Sequence, residues 1–213
     1  MTRFSPESLL IYLVADPNVA LGDVVEDVRA SINNGVTCVQ IRWKDASDRQ
    51  FANLARQMLD ICEPLGVPLV INDRIDIALA VGAQGVHLGV DDLLIEDARR
   101  LGGPEFIVGY SPESDICIAR AAARGVTYLG IGPFAATRTK NDAGCPLGPA
   151  EFARRRILST LPVVAIGGIN AENARSALGA GANGIAVASA ILGTADPAAA
   201  TRRLLDATAP VRP

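Results

Sequence analysis

The chain has 213 residues, of which 49% are hydrophobic and only 4% aromatic, and its formal net charge is −3. This length can bury a large core in one domain, and the small negative charge gives no basic field to attract nucleic acid or a membrane surface. No apolar stretch reaches transmembrane length and no signal peptide opens the chain, so we expect a cytoplasmic protein. The four cysteines are widely spaced without a CxxC pair and are expected to be reduced thiols.

Eight short apolar runs follow one another along the chain, separated by segments with helical spacing. They are "LIYLVA" (10–15), "CVQIR" (38–42), "PLVIN" (68–72), "GVHLG" (85–89), "FIVGY" (106–110), "TYLGIG" (127–132), "VVAIGG" (163–168) and "GIAVAS" (184–189). Glycine or proline often punctuates the turns from helix to strand. This alternation predicts one (β/α)₈ barrel domain over residues 1–213, with a doubly wound open sheet as the alternative.

Polar residues cluster where the predicted strands end, which is where barrel proteins carry their chemistry. They are Gln40, Arg42 and Lys44 after the second strand, Asn72 and Asp73 after the third, Asp92 after the fourth, Ser111 after the fifth, and Thr137, Thr139 and Lys140 after the sixth. Arginine and lysine suit phosphate oxygens. Two carboxylates would repel each other unless a cation lay between them, and Mg²⁺ prefers oxygen ligands of this kind. The pattern predicts a site for a Mg²⁺-pyrophosphate.

A second anion site is predicted after the last two strands. Gly167-Gly168 and Ala188-Ser189 are small residues that let backbone N–H groups approach a phosphate near a helix N-terminus, as in other barrels. Two anion sites would then share one barrel mouth.

Several of these residues also have purely structural interpretations. Asn72-Asp73 and Asp91-Asp92 could cap the helices that follow them. The single histidine, His87, is expected to be packed in the barrel rather than catalytic. The run "ARRR" (153–156) is expected to be a solvated helix face.

Taken together, the motifs resemble those of the thiamine phosphate synthase family from about residue 9 to residue 207. They are "YLVAD" (12–16), "VQIRWK" (39–44), "INDRIDIALAVGAQGVHLGVDD" (71–92), "GYS" (109–111), "YLGIGPFAATRTKNDAG" (128–144), "VVAIGGIN" (163–170) and "GANGIAVASAI" (181–191). The resemblance implies a single-domain barrel with Mg²⁺ as cofactor. It also implies a transferase that joins 4-amino-2-methyl-5-hydroxymethylpyrimidine diphosphate to a thiazole phosphate, plain or carboxylated, and releases pyrophosphate.

The resemblance also implies a role for each site residue. The pyrimidine diphosphate would be held by Gln40, Arg42, Lys44, Asn72, Ser111 and Lys140, with Arg42, Lys44 and Lys140 stabilising the charge on the leaving group. Mg²⁺ would be held by Asp73 and Asp92. The thiazole phosphate would be held by Thr137, the backbone of Arg138, Thr139, Gly168, Ala188 and Ser189.

Three departures from the family pattern leave alternatives open. Val90 stands in place of the usual glutamine, Pro112-Glu113 follows Ser111 where the family has "S-x-H", and the sixth loop reads "FAATRTK". A related thiazole tautomerase would use a histidine in the fifth loop and tends to lose the aspartate that follows the asparagine. A non-catalytic paralogue that only binds thiamine intermediates is the other alternative.

Overall fold

The structure, a computed structural model, describes residues 4–137 and 144–209. Eight parallel strands pair in chain order and close into a barrel, because β8 returns to pair with β1. The strands are β1 (Ile11–Ala15), β2 (Cys38–Ile41), β3 (Leu69–Asn72), β4 (Gly85–Leu88), β5 (Ile107–Tyr110), β6 (Tyr128–Ile131), β7 (Val163–Ile166) and β8 (Gly184–Val187). The predicted (β/α)₈ fold is confirmed, and the open-sheet alternative is wrong.

Helices follow the strands around the outside of the barrel. They are α1 (Val24–Ile32), α2 (Asp48–Cys62), α3 (Ile75–Val81), α4 (Ile95–Gly102), α5 (Asp115–Arg120), α6 (Gly148–Arg156), α7 (Ala174–Gly179), α8 (Ser189–Leu192) and α9 (Pro197–Thr208). Short 3₁₀ turns cover Pro6–Leu9, Glu63–Leu65 and Ala122–Arg124. Within the described ranges, no helix is both long enough and apolar enough to cross a membrane.

Local sequence explains where the longest helix starts and which face it buries. At the start of α2, Ser47 Oγ accepts from Gln50 N–H and Gln50 Oε1 accepts from Ser47 N–H, which is a capping box. Phe51, Leu54 and Met58 recur at helical spacing and are buried against the barrel. The amphipathic pattern thus places α2 on the barrel wall.

Two hydrophobic cores result from the alternation of side chains along each strand. One lies between the barrel and the helices, and the other fills the barrel interior with residues such as Tyr12, Cys38 and Tyr128. Two similar segments, "AVGAQG" (80–85) and "AGANG" (180–184), each contain the left-handed glycine of a helix-to-strand turn, Gly82 with φ 80° and Gly181 with φ 98°. These two turns belong to the packing of the barrel.

Candidate active site

The loop after the second strand brings two cations to the barrel mouth. β2 ends at Ile41, so Arg42 and Lys44 lie in the loop that follows. Arg42 Nη1 donates to Asp16 Oδ2 at 2.7 Å, whereas Lys44 Nζ lies 3.1 Å from Asp73 Oδ2. The two cations therefore turn to opposite neighbours, Arg42 to the end of β1 and Lys44 to the end of β3. Asp16, buried at the end of β1, is a partner that the sequence reasoning missed.

Asp73 and Asp92, which we call the acidic pair, lie beside each other next to Lys44. Asp73 has a left-handed backbone, with φ 62°, and its N–H donates to His87 O at 2.9 Å. Gly89 N–H donates to Asp92 Oδ2 at 2.6 Å. Burial, together with the neighbouring Asp73 carboxylate, raises the pKa of Asp92. The site thus concentrates negative charge at a point where a cation would relieve it.

The acidic pair has the donor chemistry that a Mg²⁺ ion needs. Mg²⁺ is commonly held by one or two carboxylates and completes its shell with water and phosphate oxygens. Within the described residues, no group of three or more His, Cys, Asp or Glu side chains converges as a metal site. The pair therefore fits a magnesium ion shared with a phosphorylated substrate, and not a site built from protein ligands alone.

Neither carboxylate of the acidic pair caps a helix. α3 begins after Arg74 and α4 begins after Leu94, and both starts lack a side-chain cap. Arg74 instead bonds to Asp48 and Asp76. The capping interpretation of Asp73 and Asp92 thus has no hydrogen bond to support it.

A small cavity of about 140 Å³ adjoins the acidic pair. Its lining includes Trp43, Lys44, Asn72 and Asp73, from the ends of β2 and β3 and the loops after them. Asn72 is the last residue of β3 and pairs in register with His87 of β4. The predicted contacts Lys44 and Asn72 are therefore brought to one cavity with one member of the acidic pair.

A larger cavity of about 440 Å³ lies at the mouth, between the loops after β1, β6 and β7 and the start of α8. We call it the glycine-lined cavity. Its lining consists of Val19, Ala136, Thr137, Gly168, Ile169, Asn170, Ser189 and Ala190. Three of the predicted thiazole phosphate contacts, Thr137, Gly168 and Ser189, therefore meet in one cavity. Ala188 directly precedes α8 and is not among the lining residues. Arg138, Thr139 and Lys140 lie outside the described residues.

Gly168 keeps the wall of the glycine-lined cavity open. Its φ is 68°, and a Cβ atom there would lie 2.4 Å from Ala136 O and 2.7 Å from the carbonyl carbon of Ala135. A side chain at this position would thus collide with the segment that carries Thr137. The predicted "GG" signal reflects this close approach of two loops.

A chain of hydrogen bonds crosses the barrel interior below the mouth. It joins Gln40, Tyr12, Tyr128, His87 and Ser111 by four contacts of 2.6 to 2.9 Å. We call these five residues the hydroxyl chain. His87 is packed, as expected, with only 8% of its surface exposed. Tyr12 and Tyr128 were not predicted from the sequence, because both lie in apolar strand runs. The signal that could have identified them is a hydroxyl group at a strand position that faces the barrel interior.

Comparisons with known proteins show which family the chain is similar to. Residues 11–191 match the family model TMP-TENI, described as thiamine monophosphate synthase. The thiamine-phosphate synthase of Albidiferax ferrireducens is 48% identical over 93% of this chain and 91% of its own length. That of Azorhizobium caulinodans is 44% identical over 93% of this chain and 94% of its own.

A solved structure shows the same likeness in three dimensions. The thiamine phosphate pyrophosphorylase from Pyrococcus furiosus superposes with a TM-score of 0.87 at 34% identity, covering 95% of this chain and 96% of its own. The family resemblance read from the motifs is confirmed: the chain belongs to the thiamine monophosphate synthase family.

Proposed function

We propose that the chain catalyses the Mg²⁺-dependent coupling of 4-amino-2-methyl-5-hydroxymethylpyrimidine diphosphate with a thiazole phosphate to give thiamine phosphate and pyrophosphate. One observation supports this function above all. The acidic pair with Lys44 and the glycine-lined cavity with Thr137 and Ser189 open at the same barrel mouth. A reaction that brings together two phosphorylated substrates, one of them metal-linked, requires two such sites side by side.

The chemistry on the diphosphate side follows from charge. The carbon–oxygen bond of the pyrimidine methylene breaks, and pyrophosphate leaves with the electron pair. Arg42, Lys44 and Lys140 are proposed to stabilise the negative charge that grows on it. A magnesium ion held by Asp73 and Asp92 would supply further charge neutralisation. Gln40, Asn72 and Ser111 are proposed to orient the same substrate.

The chemistry on the thiazole side requires positioning rather than an enzyme nucleophile. Thr137, Thr139, Gly168, Ala188 and Ser189, with the backbone of Arg138, are proposed to hold the thiazole phosphate. The thiazole nitrogen then forms its bond to the methylene carbon as the aminopyrimidine delocalises the positive charge. Holding both substrates in one orientation lowers the entropic cost of their encounter.

A cytoplasmic location is part of the same proposal. All four cysteines are free, and Cys38 and Cys62 are buried in the packed barrel. Free thiols are typical of a reducing compartment.

The decisive experiment is a coupling assay with the purified protein, both substrates and Mg²⁺. We expect thiamine phosphate and pyrophosphate in equal amounts, with neither product formed when one substrate or the metal is omitted. Isomerisation of a thiazole carboxylate phosphate without release of pyrophosphate would instead identify a tautomerase. Binding of either substrate without turnover would identify a non-catalytic paralogue.

A further inference from the structure

The hydroxyl chain links two residues that are expected to touch the pyrimidine substrate from different strands. Gln40 Nε2 donates to Tyr12 Oη at 2.8 Å, and Tyr12 Oη lies 2.6 Å from Tyr128 Oη. Tyr128 Oη lies 2.9 Å from His87 Nδ1, and His87 Nε2 lies 2.8 Å from Ser111 Oγ. The hydroxyl chain thus runs from β2 through β1, β6 and β4 to the residue that follows β5.

The barrel backbone makes room for this chain at two glycines. A Cβ atom at Gly109 would lie 2.3 Å from Tyr128 Cζ and 2.5 Å from His87 Nδ1. One at Gly130 would lie 3.2 Å from His87 Cε1 and 3.5 Å from Ser111 Oγ. Gly109 of β5 and Gly130 of β6 therefore leave the space in which the side chains of His87 and Tyr128 meet.

The donors and acceptors of the chain have a direction. The amide nitrogen of Gln40 can only donate, so Tyr12 accepts a hydrogen bond from it and donates one to Tyr128. Tyr128 in turn donates a hydrogen bond to His87 Nδ1. Burial raises the pKa of Tyr12 and of Tyr128 well above the usual value, so both phenols keep their protons. His87 Nδ1 must therefore be an acceptor, and the neutral ring carries its proton on Nε2.

We propose that the hydroxyl chain fixes His87 as its Nε2–H tautomer, so that Ser111 Oγ accepts from the ring and directs its own proton into the barrel mouth. Ser111 then meets the pyrimidine diphosphate as a donor, aimed at an acceptor atom of that substrate. Tyr12, Tyr128 and His87 act through Ser111 and are positioning residues. The identity of the substrate in this inference rests on the proposed function, whereas the direction of the hydrogen bonds and the tautomer of His87 do not.

The tautomer can be measured without any substrate. Because His87 is the only histidine of the chain, ¹⁵N-histidine labelling yields one pair of ring nitrogen signals. We expect a protonated Nε2 and an unprotonated Nδ1 in the wild type above the pH at which free histidine titrates. Tyr128→Phe removes the hydroxyl that donates to Nδ1, so we expect a mixture of tautomers in that variant.

Tyr110, the third tyrosine of the protein and not part of the hydroxyl chain, supplies a matched control. Tyr110 lies in β5 and is buried like Tyr12 and Tyr128. It packs in the core between the barrel and the helices, however, and contacts Arg124 rather than His87. Tyr110→Phe should therefore leave the tautomer unchanged. If Tyr128→Phe does not fold, Tyr12→Phe is the second variant, since it interrupts the direction of the chain one hydroxyl further away.

Kinetics separate positioning from a merely structural role. We expect Tyr128→Phe to lower kcat/KM for the pyrimidine diphosphate by about tenfold, as the loss of one oriented hydrogen bond would, and to leave the KM for thiazole phosphate unchanged. His87→Gln keeps an amide donor near Nε2 and should retain most of this activity. His87→Met has no donor and should not.

Two results would overturn the inference. One is a wild-type ring protonated on Nδ1. The other is a Tyr128→Phe variant that matches Tyr110→Phe in both tautomer and kinetics. If the wild type proved unable to couple the substrates, the proposed function would fail, while the NMR measurement would still decide the direction of the chain.

Discussion

Lys44 Nζ lies 3.1 Å from Asp73 Oδ2, so the loops after β2 and β3 meet in an ion pair at the barrel mouth. The Lys44 side chain is 54% exposed, and exposed pairs of this kind add little to stability. The backbone of Asp73 is nevertheless held in the left-handed region, with φ 62°. Strain of this kind concentrates at functional sites. Substitution of Asp73 should consequently affect chemistry more than folding.

Asp73→Asn should slow coupling strongly and raise the Mg²⁺ concentration needed for half-maximal rate, because one of two proposed metal ligands loses its charge. Asparagine tolerates the left-handed backbone, so the melting temperature should change little. Rate measured against Mg²⁺ concentration is the test, with Asp97→Asn on the outer face of α4 as the control. Unchanged activity at limiting Mg²⁺ would contradict the metal assignment.

Asp92→Asn should stabilise the unliganded protein at neutral pH by less than about 1 kcal/mol, since it relieves repulsion from Asp73 at a solvent-screened position. The amide oxygen can still accept from Gly89 N–H. Mg²⁺ should raise the melting temperature of the wild type but not of this variant. Thermal melts with and without Mg²⁺ check both points. An equal Mg²⁺ response in the two proteins would exclude Asp92 as a ligand.

Thr137→Val should raise the KM for thiazole phosphate and leave that for the pyrimidine diphosphate unchanged. Loss of one hydrogen bond to a charged group costs about 1.5–3 kcal/mol, which corresponds to a KM roughly 10 to 150 times higher. Lys140→Ala should instead lower turnover, because its charge is proposed to face the departing pyrophosphate. The two Michaelis constants and kcat of each variant are the measurement. Thr160→Val, exposed in the turn that precedes β7, is the control.

Arg99→Met should destabilise the fold by about 2 kcal/mol or more, because it leaves several backbone carbonyls unsatisfied. Arg99 donates to Gly103 O, Pro104 O, Phe106 O and Gly125 O, and to Thr127 Oγ1. It thus ties the turn before β5 to the turn before β6, at the end of the barrel opposite the mouth. Denaturant unfolding should show the loss, with both Michaelis constants unaltered. Arg100→Met, an exposed neighbour paired with Asp97, should match the wild type.

Glu151→Gln should reduce the dependence of stability on acid pH. Hydrogen bonds from Arg154 and Arg155 lower the pKa of Glu151 to about 2 from a usual 4.5. A carboxylate with a depressed folded-state pKa contributes stability above its unfolded value and loses it as the pH falls through the folded value. The effect should therefore appear between pH 4.5 and about 2. Unfolding curves across that range, with Glu172→Gln as the control, test it.

The strands were predictable because each is a short apolar run between helical segments. Of the site, the sequence predicted only which polar residues follow the strand ends, and not which side chains contact one another. Arg42 and Lys44 were recognised as cations, but their separate partners depend on which neighbouring loop each side chain reaches. The role of Arg99 was not predicted, because an arginine on an amphipathic helix is normally expected to face solvent. Only the structure shows which turns lie within its reach. The "ARRR" run lies on a partly exposed face of α6, where Arg154 and Arg155 pair with Glu151 and Asp115, and Arg156 donates to Gly181 O.

Barrel closure also sets the order in which this protein can become functional. The site residues are distributed from Gln40 to Ser189, and they face one another only once β1 has paired with β8, as in the register Leu13↔Val187. That pairing joins segments far apart in the chain and carries a high entropic cost. In a refolding experiment, recovery of substrate binding should thus lag behind recovery of helix content. Ligand binding would then report the last step of folding.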